Sequence, residues 1–230
     1  MAVWGGIFLF LAASGRLRSL LNPLFWSLEI GGGVLLILLA ACYLLLLRPP
    51  RLAITRRQGH RIVWKLGVLA GPLLLCTYLA PPTFSAAALE RRAGLSGGRI
   101  WAQSEAPSAS SPKVELIDLA AAAYYPEHIP EVSNKQVSYT GQYFPGSNGE
   151  FRLCRVLMSC CAQDATPIYL HVVGNVPVFS EMQWINVEGE TFFRKDDGEW
   201  TPCIRLTRVT STSAPVDPYL YPVGKKPNPQ

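Results

Sequence analysis

A chain of 230 residues that is 49% hydrophobic and only 16% charged falls short of the roughly one-quarter charged residues usual in soluble domains, so part of it belongs in lipid. Its net charge of +5 is unevenly placed: residues 1–81 carry eight Lys/Arg against the one acid Glu29, whereas residues 82–230 carry thirteen against fifteen acids. The basic surplus thus sits in the apolar part, and the soluble part lacks the basic face that nucleic-acid binding needs.

The first apolar stretch, MAVWGGIFLFLAASG, is short for a membrane span, and no basic segment precedes it as in a secretory signal. It reads as a first helix over about residues 1–14. The run IGGGVLLILLAACYLLLL, Ile30 to Leu47, is eighteen residues without a charge. Such a helix is about 27 Å long, enough with Leu24–Trp26 to cross a hydrocarbon core of about 30 Å. It gives a span over about residues 25–47. IVWKLGVLAGPLLLCTYLA supplies another over about 62–81, with Lys65 near enough to its end to reach the interface. Neighbouring helices can satisfy the carbonyl that Pro72 frees. Residues 1–82 therefore read as a membrane domain of two or three helices. The loop between the two stronger spans carries Arg48, Arg51, Arg56, Arg57, Arg61 and Lys65 and no acid, which places it in the cytoplasm. Everything after Pro82 is then extracytoplasmic; only Arg16 and Arg18 argue the other way.

Residues 83–113 read as a flexible linker, because SGGRIWAQSEAPSASSPK is rich in Ser, Ala, Gly and Pro. Residues 114–230 form the second domain. VELIDLAAAAYYPEHIP begins as a short helix and stops at Pro126. The pattern then changes to period two. KQVSYTGQYF, FRLCRVLMSC, PIYLHVVG, MQWINVEGETFFRK and PCIRLTRVTSTS are five strand candidates, with turns at PGSNGE and DDGE. Gly141 and Gly189 inside strands suit the corners of a small barrel. A helical membrane part followed by an all-β domain, a five-stranded OB-like barrel, is the expected architecture. The closing PVDPYLYP has three prolines and cannot be a central strand, so its tyrosines should pack back over the barrel or offer an extended segment to a partner.

Several of these stretches resemble the YcgQ-type family of bacterial membrane proteins: SGRLRSLLNP, the basic loop ending at His60, CRVLMSCCAQDATPIYL, WINVEGE and PVDPYLYP. The likeness runs from about Ser14 to Pro222, and its most specific piece is Cys-Cys-x-x-Asp-Ala at Cys160–Ala165. The resemblance implies a multi-pass protein of the bacterial cell membrane whose OB-like domain works beside a permease subunit. Cys154 and Cys203 are not part of that family's pattern.

The Cys-Cys-x-x-Asp block carries the densest chemistry. On a continuous strand Cys160 and Cys161 would face opposite ways and could not share an ion. AQDATP breaks the strand, with Asp164 suited to a turn and Pro167 restricting its predecessor. Two thiolates, Asp164 and His171 then make a donor set for Zn²⁺ or another thiophilic ion. Two further readings compete with it. Cys160 and Cys161 can act as a redox pair, or one thiol packs in the core while the other lies under a turn capped by Asp164. Outside the cytoplasm a structural disulfide between Cys154 and Cys203 would staple two barrel strands. His128 reads as a loop residue, and Trp184 as a core anchor. No Ser-His-Asp, Walker or Rossmann pattern is present, so a non-enzymatic accessory protein is expected ahead of a thiol oxidoreductase or a purely structural module.

Overall fold

The computed structural model describes residues 2–46, 84–95, 114–146, 149–174, 178–196 and 198–222, together with Gly59, His60, Trp64, Lys65, Gly67, Val68 and Gly71. The chain divides into two compact units, Met1–Thr83 and Phe84–Gln230.

In the first unit, α1 (Ala2–Ala13) is followed by α2 (Leu17–Leu20), a 3-10 turn at Pro23–Phe25 and α3 (Trp26–Leu46). Asn22 opens the 3-10 turn, its Oδ1 accepting from the Leu24 N–H at 3.0 Å. The continuous helical stretch Pro23–Leu46 has 24 residues. At 1.5 Å per residue it measures about 36 Å, longer than the hydrocarbon core. It is the one helix among the described residues long and apolar enough to span a membrane. Where the first helix was expected, over about residues 1–14, the structure has α1 with 12 residues, about 18 Å long. It packs against α3, where a β-carbon on Gly5 would lie 2.6 Å from the Gly33 carbonyl oxygen. The span expected over 62–81 lies largely outside the described residues.

The second unit is a closed barrel. Its strands are β1 (Gln136–Pro145), β2 (Glu150–Leu157), β3 (Thr166–Val173), β4 (Trp184–Asp196) and β5 (Glu199–Ser211). Around the wall the order is β1-β2-β3-β5-β4 and back to β1. All neighbours are antiparallel except β3 and β5, which run parallel. This is the five-stranded OB-like barrel expected from the strand pattern. The glycines mark its tightest places. A β-carbon on Gly141 would sit 2.9 Å from the Cys154 carbonyl oxygen, and one on Gly189 would strike the Arg205 carbonyl beside the bulge at Glu188/Gly189.

The interior is filled by Phe151, Leu153 and Leu157 of β2, Ile168, Leu170 and Val172 of β3, and Ile185, Val187 and Ile204 from β4 and β5. The helix α5 (Leu116–Tyr124) adds Leu116, Ile117, Leu119, Ala120 and Ala122 to the same core. Its start is a reciprocal cap, with the Asp118 carboxylate accepting from the Glu115 N–H at 2.7 Å. A short helix, α6 (Ile129–Val132), leads into β1.

A second apolar cluster lies on the other face of β2, where Phe144, Cys154, Val156 and Met158 meet Ala165, Tyr219, Tyr221 and Leu89. Two elements build that outer layer. One is β6 (Tyr219–Leu220), which pairs parallel with Val156–Leu157; the PVDPYLYP tyrosines do pack back over the barrel, and the segment also adds a sixth strand. The other is α4 (Ala86–Leu95), packed against β3 with Leu89 fully buried. The linker expected over 83–113 is corrected at its start, because its Ala-Leu-rich opening docks as this helix; residues 96–113 lie outside the described ones.

Candidate metal centre in the β2–β3 loop

β2 ends at Leu157 because Met158 turns its N–H to the Leu220 carbonyl of β6, at 2.9 Å. The chain then bends tightly back to β3. Asp164 organises the bend. Its Oδ1 accepts from the Ser159 N–H at 3.0 Å, and its Oδ2 accepts from Cys160 at 2.6 Å and Cys161 at 3.4 Å. The Asp164 N–H in turn donates to the Cys161 carbonyl at 3.1 Å. A short polar side chain gathering its neighbours' N–H groups is the local chemistry that favours Asp in turns.

The bend brings the two thiols to one side, as a shared site requires. The sulfurs lie 3.6 Å apart, and one ligand atom each from Cys160, Cys161 and Asp164 fall within 4.8 Å of one another. Cys160 is exposed; Cys161 and Asp164 are half-buried. A carboxylate has about four acceptor positions, and three are taken by N–H groups, which leaves room on Oδ1 for one cation bond.

The electrostatics of the bend hold Cys160 in its protonated form. The hydrogen bond to Asp164, then the bond to Cys161 and a little burial, push the Cys160 thiol up to about 12. A thiol so placed is protonated at neutral pH, the reverse of the lowered value that marks reactive cysteines. A divalent ion would neutralise Asp164 and displace the proton. Two sulfurs and one carboxylate oxygen are three groups that could hold a thiophilic ion at an exposed loop.

His171 does not join them. It lies five residues beyond Thr166 on β3, about 17 Å along the strand. There its Nδ1 is 3.8 Å from Glu150, and burial followed by the nearby Arg194 lowers its pKa. Strand alternation gives a residue's face but not its distance from the loop. The disulfide expected between Cys154 and Cys203 is a correction too: both are buried free thiols. Cys154 is paired in register with Tyr169 and Cys203 with His171, so β3 runs between them. Two interstrand spacings total about 9.5 Å, beyond the Cα separation of about 7 Å that a disulfide tolerates.

Two other residues matter near the site or the wall. Arg92 of α4 donates through Nη1 to the carbonyls of Ala162, at 2.7 Å, and Ala165, at 2.9 Å, and so holds the loop from outside. The signal for it was present: Leu89 and Arg92 are three apart and share one face of AAALERRAGL. Strand alternation puts Arg155 of β2 on the same face as Phe151, Leu153 and Leu157. Its guanidinium instead closes the seam where β1 and β2 part, donating to Thr140 on one side and to Asp217 and Tyr219 on the other. Trp184 lies beneath it, 5.5 Å from the guanidinium carbon, half-buried in the wall and outside the core cluster.

Fold and loop together define an OB-like barrel domain, carried after an apolar helix, that presents an exposed dithiol–carboxylate loop. A DUF1980 C-terminal domain is found at residues 122–222, somewhat under half of the chain; it is a family whose function is uncharacterised. No curated protein matches the chain.

Proposed function

We propose that the protein is a non-enzymatic, membrane-anchored accessory subunit that holds a thiophilic metal ion on the extracytoplasmic face and passes it to a permease. One observation carries the reading: Cys160, Cys161 and Asp164 offer three ligand atoms within 4.8 Å at an exposed loop. A site with three protein ligands and an open position suits exchange better than permanent storage. The placement outside the cytoplasm rests on the six basic residues and no acid in the stretch from Arg48 to Lys65, and a multi-pass anchor follows from the same reading. A permease is the partner because the family resemblance implies one. The competing redox reading uses the same two thiols, and thiol titration beside metal counting separates the two.

The test is metal counting on the full chain in detergent, loaded with zinc or cadmium, beside Cys160→Ser and His171→Ala. About one ion per chain, lost in the Cys160 variant and kept in the His171 variant, is the expected result. A chain that takes up no ion but reversibly loses two titratable thiols on oxidation would replace this reading with the redox one. For the partner, a photocrosslinking residue in place of the exposed Gln163 should capture a polytopic membrane protein in native membranes. Capture of only lipid or soluble proteins would remove the permease.

A further inference from the structure

On the metal-site reading above, we infer that Arg92 is a positioning residue of the centre, so that the helix leading into the barrel belongs to the site. The loop is organised from two sides. Asp164 collects the N–H groups of Ser159, Cys160 and Cys161 on the inner side of the bend. The carbonyls of Ala162 and Ala165, which flank Asp164, both point to Arg92 and accept from the same Nη1 at 2.7 and 2.9 Å. Two converging carbonyl dipoles repel each other, and a shared cationic donor removes that repulsion while fixing their separation.

Arg92 is itself held. Its guanidinium lies over the Phe84 ring at 4.7 Å, and Leu89, one turn earlier on α4, is fully buried in the cluster that contains Ala165. The contact is therefore a pre-set clamp from a docked helix. It fixes the two carbonyls between which Asp164 lies. Lysine at this position would keep the charge and lose the planar, pre-organised donor group. Residues that orient ligands from behind typically change metal affinity by about 10- to 100-fold.

The experiment uses the full chain in detergent with cadmium as probe, read by thiolate-to-metal absorption, together with amide hydrogen exchange over Met158–Ala165 without metal. Arg92→Met should weaken cadmium binding at least about tenfold and speed exchange at Ser159–Cys161 by a similar factor. Arg92→Lys should recover part of both. Glu90→Gln is the control: it breaks the ion pair that ties the same helix to Arg152, 3.0 Å apart, without touching the loop, and should leave both readouts near wild type. Cadmium binding and exchange in Arg92→Met within twofold of wild type would overturn the inference, as would equal losses in Glu90→Gln. A wild-type chain that binds no cadmium would strike the metal reading itself, and the exchange comparison would still decide whether Arg92 shapes the loop.

Discussion

Asp164 does two opposing things at once, and separating them is the most direct check on the loop chemistry. Its carboxylate stabilises the bend through three backbone N–H groups, and its hydrogen bond to the neighbouring thiol, together with its charge, raises that thiol. Asp164→Asn keeps an acceptor and removes the charge, so Cys160 should fall back toward the ordinary thiol range. Alkylation of the folded variant should then begin at lower pH than in wild type; an unchanged pH profile would show that Asp164 does not control the thiol. Asp164→Ala removes the acceptors as well and should cost about 1–2 kcal/mol in unfolding experiments. The buried thiols give a second residue-scale expectation. Burial pushes Cys154 up to about 12 and Cys203 up to about 11. Ordinary thiols ionise near 8.5, so between there and 11–12 the unfolded chain releases protons that the folded one retains. Stability is complete below about pH 8.5 and declines as the pH rises through that window. Burial also raises Tyr169, Tyr219 and Tyr221, so Cys203→Ala should flatten only the early part of a plot of denaturation midpoint against pH. The bend was legible in residue order, because adjacent thiols can face one side only where the strand ends, and Asp164 suits the turn that ends it. His171 shows the limit: period two assigns a face, while distance depends on where along β3 the loop joins.

At the scale of elements, the strands were readable and the outer layer only in part. β4 alternates clearly over its first eight residues and β3 over most of its length, and the PGSNGE and DDGE segments separate β1 from β2 and β4 from β5. β2 departs from alternation because both of its faces are buried, one by the core and the other by α4 and β6. Of the two covering elements, the packing of the PVDPYLYP tyrosines was legible, but its pairing as a strand and the α4 helix were not. A two-residue strand among prolines has no period, and α4 opens a stretch whose Ala, Gly and Ser content resembles a tether. What makes α4 part of the domain is tertiary: Leu89 inserts beside Phe144, Cys154 and Met158. Leu89→Ala should therefore cost the barrel about 3 kcal/mol, within the 2–5 kcal/mol usual for a core Leu. Urea unfolding followed by the barrel's tryptophan fluorescence measures it. A change below about 0.5 kcal/mol would mean that the helix rests on the barrel without supporting it.

For the whole molecule, the division into an apolar first unit and a nearly neutral second one follows from composition, and the boundary after Thr83 lies close to the end of the basic, apolar segment. Which side of the membrane the barrel occupies is an electrostatic matter, and it decides what the dithiol loop meets. An outward barrel sees an oxidising space and incoming ions; an inward one sees reduced thiols and the cytosolic metal pool. The six basic residues between Arg48 and Lys65 should hold their loop inside, with only Arg16 and Arg18 pulling against them. Cys160 alone is a poor reporter of sidedness, because its raised pKa makes it slow toward thiolate-specific reagents. Val178, 95% exposed on the barrel, is better placed, and Val178→Cys in a Cys160→Ser background gives an ordinary surface thiol. In intact cells a membrane-impermeant maleimide should label Val178→Cys at once. It should label Gln58→Cys, placed among the basic residues, only after permeabilisation. The reverse pattern would put the barrel inside, and with it would go the extracytoplasmic hand-over, leaving the dithiol loop to cytosolic chemistry.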